Sequence, residues 1–81
     1  MSTERIMAQG RLRELEIETT QKRVAIEEAR RSIREATAIY VAPEDIDSAR
    51  IVFGAAQLVK AVEDYRRIAS EIAGIRKDYG L

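Results

Sequence analysis

Tyr40-Val41-Ala42-Pro43-Glu44-Asp45 decides the fold, because it holds the only proline, near the middle of an 81-residue chain. A proline ring has no amide hydrogen, clashes with the preceding helical turn and drives the residue before it toward extended backbone. A helix arriving from the N-terminal side is therefore expected to stop near Val41. Proline also presets the φ angle of a first helical position, and Glu44, Asp45 and Asp47 suit the positive end of a helix dipole. The same stretch thus opens a second helix at about residue 43.

Upstream of the break, Thr3 to Val41 contains one glycine, Gly10, and is dominated by Glu, Arg, Ala, Leu, Ile and Gln, all good helix formers apart from the β-branched isoleucine. Apolar positions recur at alternating spacings of three and four. One row is Leu12, Thr19, Ile26, Ile33 and Tyr40, and the other is Ala8, Leu15, Lys22, Ala29 and Ala36. That period belongs to a coiled-coil or bundle helix with one polar level, at Thr19 and Lys22. Downstream, Ile51, Leu58, Tyr65, Ile72 and Tyr79 form a row. Ser48, Ala55, Val62, Ala69 and Arg76 read as its companion. The apolar arc is wider here, since Val52, Val59, Ala61, Ile68, Ala73 and Ile75 flank it on both sides, which on a helix implies burial in more than one direction. Gly80 falls where a C-terminal cap is expected.

The fold expected is all-α, an antiparallel two-helix hairpin of coiled-coil type. One domain over residues 1–81 contains helix one at about 3–41, a turn at 42–43 and helix two at about 43–78. Pairing outward from the turn sets Ile33 near Phe53, Leu15 near Ile72, and Lys22 near Glu63 to Tyr65. Glu63 or Asp64 could then neutralise Lys22 and fix the register; alternatively the lysine reaches solvent from the seam edge. A single helix pair gives a small domain little burial, so two hairpins are expected to dimerise into a four-helix bundle.

Composition narrows function further. Fourteen basic and fourteen acidic residues cancel, and the chain has no cysteine, histidine or tryptophan. Neither a thiolate nor an imidazole is available for metal binding or general base catalysis, so no catalytic residue, metal or cofactor is expected and an enzyme is disfavoured. No apolar run is long enough for a membrane span and the N-terminal residues lack a signal-peptide core, which makes the cytoplasm the expected compartment.

The expected role is a protein–protein interaction module, an assembly, adaptor or inhibitor protein, whose partner is itself as a homodimer, another protein, or both. No membrane or small-molecule substrate is expected. The residues expected at that interface are Val52, Phe53, Ala56, Val59, Ile68 and Ile75 of helix two with Ile17 and Val24 of helix one. Phe53 can equally be core beneath the turn, and Gly54 can be a close-approach point or a tolerated weak one. The alternative is a small nucleic-acid-binding regulator using Arg30, Arg31 and Arg34 on phosphates. Glu27, Glu28 and Glu35 interleave with those arginines and the net charge is zero, which disfavours it.

Overall fold

The computed structural model describes residues 2–81; Met1, the first residue of the expected domain, lies outside them. Two long helices, α1 (Thr3–Ala36) and α2 (Ser48–Tyr79), pack antiparallel in a rod of 63 × 15 × 14 Å. No strand occurs among the described residues. Ser2 caps α1 by accepting a hydrogen bond from the Arg5 amide at 3.2 Å. Gly80 ends α2 in the left-handed region at φ 66°, as its position in the sequence implies.

The connection is longer than expected. Helix one stops at Ala36 instead of Val41, and helix two starts at Ser48 instead of Pro43. Past Ala36 the β-branched Thr37, Ile39 and Val41 have weak helix propensity and no opposing helix to pack against. The Thr37 hydroxyl donates to the Ile33 carbonyl at 2.7 Å, at the point where the helix ends. Pro43 holds Ala42 extended, as anticipated, but starts only a short 3-10 turn, Pro43–Asp45. The cap of α2 is Asp47, whose carboxylate accepts from the Arg50 amide at 3.0 Å.

Each helix gives the seam two rows. In α1 they are the expected ones. The deep row is Ala8, Leu15, Ala29 and Ala36, all buried, with Lys22 among them; Leu12, Thr19, Ile26 and Ile33 form a half-buried row beside it. In α2 the half-buried row is again the expected one, Ile51, Leu58, Tyr65, Ile72 and Tyr79. Its deep companion, however, is Gly54, Ala61, Ile68 and Ile75, one residue back from Ala55, Val62, Ala69 and Arg76.

Sterics and charge explain the shift. A Cβ on Gly54 would lie 3.1 Å from Ile33 Cγ1 and 3.9 Å from the Ala29 carbonyl oxygen, so the two backbones approach closely there. On the same side Asp64 meets Lys22 at 3.1 Å. Docking α1 on this side of α2 gives close packing near the turn and pairs the seam lysine.

Candidate functional site

In an antiparallel pair the two deep rows lie toward one face of the hairpin and the two half-buried rows toward the other. The deep-row face is closed by side chains that cross between helices. Arg11 reaches Glu71 at 2.8 Å, Lys22 reaches Asp64 at 3.1 Å, and Arg50 reaches Glu35 at 2.7 Å. Asp64 is the one buried charged residue among those described, held also by Lys60 at 3.0 Å and Arg67 at 4.0 Å. At the end of the rod away from the turn Arg5 donates to the Tyr79 carbonyl at 2.6 Å.

The opposite face is open. Its floor is the half-buried rows of both helices, and on α2 it continues outward through Ala55, Val62 and Ala69 to Val52, Val59 and Ala73. All of these are apolar. On α1 the same face ends in a polar rim of Gln9, Glu16, Arg23 and Arg30. Between the helices a groove of about 400 Å³ has Ala69, Ile72 and Ala73 on one wall and Thr19, Thr20 and Arg23 on the other. Two contacts span it, Arg76 to Glu16 at 3.4 Å and Arg23 to the Tyr65 hydroxyl at 3.3 Å. The Arg23 guanidinium also lies 5.9 Å from the centroid of the Tyr65 ring. Both threonine hydroxyls are engaged by their own helix, Thr19 with the Leu15 carbonyl and Thr20 with that of Glu16.

The residues expected at an interface separate into three groups. Val52 and Val59 extend the open face, while Phe53 and Ala56 sit further round on the edge of α2 remote from α1, and all four are exposed. Ile17 and Val24 are exposed on the far edge of α1, across the rod from that patch, so one flat surface cannot unite the two. Ile68 is a correction: it is 0 % exposed and belongs to the hairpin's own deep row. Ile75 is half-buried in the same row, beside Met7, Ala8 and Tyr79 at the end away from the turn. In the connection Ile39 is 102 % and Tyr40 82 % exposed, against 65 % for Phe53. What sequence reading missed is that Ala55 and Ala69 are exposed and Val62 only half-buried, beside the seam instead of in its deep row.

Arg30, Arg31 and Arg34 lie on the outer side of α1. Arg30 pairs with Glu27 of its own helix at 2.9 Å, and not with the acids beyond the turn. Among the described residues Arg31 and Arg34 make no ion pair, but Arg31 shares its surface with Glu27 and Glu28.

The Lys22–Asp64 level has a measurable signature. Hydrogen bonds from Lys60 and then Lys22 hold the Asp64 carboxyl below its ordinary 3.8, against the opposing effect of desolvation. A carboxyl depressed on folding contributes stability that is complete above its unfolded value and is lost as pH falls through its folded value. Asp64→Asn is therefore expected to flatten the decline of Tm below about pH 4. Superimposable acid limbs for the two proteins in thermal melts would remove Asp64 from that role.

Comparison with protein-family models, curated proteins and solved structures finds no match to this chain. Among the described residues no helix is long and apolar enough to cross a membrane, and no three acidic side chains gather as metal ligands would.

Proposed function

We propose that the chain is a non-enzymatic protein–protein interaction module that acts by helix packing, with a second copy of itself as its partner. The observation that carries this reading is the contrast between the two faces of the hairpin. One is closed by three cross-helix ion pairs, whereas the other, bridged only by Arg76 to Glu16 and Arg23 to Tyr65, leaves most of an apolar wall from Ile51 to Ala73, interrupted by Arg66, without a cover among the described residues. The whole rod measures 63 × 15 × 14 Å, so one of its long sides is comparable in size to a standard interface of roughly 800 Å² per partner. Burial there would supply the second layer that a lone helix pair lacks. A phosphate-binding role for Arg30, Arg31 and Arg34 has less support, because Arg30 is already paired and two further acids dilute the cluster.

Light scattering tests the proposal. Wild-type protein is expected at twice the chain mass. Ala55→Glu and Ala69→Glu, which alter exposed positions outside the hairpin seam, are expected at the single-chain mass with unchanged helical circular dichroism. A folded wild type that stays monomeric at high micromolar concentration would reject self-association and leave the face to a different protein.

A further inference from the structure

Resting on that reading, we infer that the two hairpins stack open face to open face and antiparallel, α2 upon α2 and α1 upon α1, with their turns at opposite ends of the bundle. Two rigid hairpins can bring these faces together about a twofold axis in only two ways. If the axis runs along the rod, the turns lie at the same end, and α2 of each copy covers α1 of the other. The apolar wall of α2 would then bury the charged rim of α1, leaving Glu16, Arg23 and Arg30 opposed by alanine and valine. Their partners within the chain, Arg76, Tyr65 and Glu27, would be desolvated with them and no opposite charge gained across the interface, which is unfavourable.

If the axis crosses the rod, each helix meets its own copy running the other way. Val59, Val62, Ala69 and Ala73 then meet the same apolar residues of the copy, while Ala55 lies level with the end of its apolar wall, near Arg76. The α1 rim also becomes self-complementary. An axis near the middle of the rod sets Glu16 against the partner's Arg23, and Arg13 against the partner's Glu27, each pair occurring twice by symmetry. Opposite charges meet along the rim and apolar surface meets apolar surface along the wall. Arg66, at the outer margin of the wall near the axis, is exposed and free to turn away from its symmetry mate.

Spin labels distinguish the two arrangements, and the absence of native cysteine makes single-site labelling straightforward. A nitroxide on Ser48→Cys, at the exposed first residue of α2 and 18 residues from Arg66 near the axis, is expected to lie roughly 55 Å from its copy in the antiparallel dimer. Turns at the same end would place the labels on the order of 20 Å apart, two helix spacings of about 10 Å. A label on Lys77→Cys, 11 residues from Arg66 on the other side of the axis, is expected at roughly 35 Å from its copy, still well beyond the same-end value. Short distances at both sites in a particle of dimeric mass would overturn the antiparallel arrangement while self-association stood; a monomeric mass would overturn both. Charge exchange gives an independent readout. Glu16→Arg and Arg23→Glu should each weaken the dimer by roughly fivefold to tenfold, and the double variant should recover most of the loss. A double variant no tighter than either single one would count against the rim pairing.

Discussion

Leu15→Ala and Ile68→Ala are each expected to remove about 2–5 kcal/mol of stability, enough to leave the chain marginally folded at room temperature. These are the two large side chains with no exposed surface, and both lie in the deep rows of the hairpin. Their neighbours in those rows are small: Ala8, Ala29, Ala36, Gly54 and Ala61. Such residues let the helices approach closely but carry little apolar area themselves, so the burial rests on few groups. An alanine at either site leaves a void that two long antiparallel helices cannot close without shifting the ion pairs of the same face, Arg11 to Glu71 and Lys22 to Asp64. Urea unfolding followed by circular dichroism at one fixed protein concentration measures the loss, concentration mattering wherever association is linked to folding. Ile17→Ala, on the exposed edge of α1, is the control and should change stability by less than about 0.5 kcal/mol. A loss below about 1 kcal/mol at Leu15 or Ile68 would mean that the hairpin seam is not what holds the chain together.

The architecture was legible in the sequence wherever one local rule acted alone. Pro43 marked the reversal, Gly80 marked the end of α2, and both rows of α1 stood out because charged residues flank them on either side. Pairing outward from Pro43 set Lys22 level with Glu63 to Tyr65, and of its candidate partners Glu63 and Asp64 it is Asp64 that the lysine meets; equal helix lengths leave little freedom once the turn is located.

The errors arose where two solutions satisfied the same local rule. Ile51, Leu58, Tyr65 and Ile72 have apolar neighbours on both sides, so period alone could not say whether Gly54, Ala61 and Ile68 or Ala55, Val62 and Ala69 faced α1. Contacts across the hairpin decided it, namely the room at Gly54 for Ile33 and the pairing of Asp64 with Lys22. The sequence did contain a usable signal: the row beside Asp64 is the one that can satisfy a seam lysine. Reading it would have moved Ile68 into the core and Ala69 to the surface. The end of α1 was missed for a related reason. Thr37 to Val41 extends the apolar pattern, but those residues lie beyond the reach of α2, and helix propensity without packing does not sustain a helix there.

Gly10→Ala combined with Gly74→Ala is expected to raise stability by about 1–2 kcal/mol, since a glycine inside a helix costs roughly 0.5–1 kcal/mol relative to alanine. A Cβ added at either position meets nothing within 4 Å, so no packing penalty offsets the gain. In a domain of this size each kcal/mol moves Tm by roughly 4–8 °C, well within the resolution of calorimetry. Gly54 has the same intrinsic helix penalty but a different environment, where the new methyl would stand 3.1 Å from Ile33 Cγ1 and force that side chain to yield. Gly54→Ala is therefore expected to give no net gain, and Gly54→Leu to lose roughly 1–3 kcal/mol by overpacking. The comparison bears directly on how the hairpin chooses its faces. If Gly54→Ala stabilised as much as Gly10→Ala, the helices could separate freely at that level, and close approach would not be what directs α1 to the Gly54 side of α2. If instead Gly54 alone resists the larger side chain, the same contact that seals one face of the hairpin is what leaves Ala55, Val62 and Ala69 outside on the other.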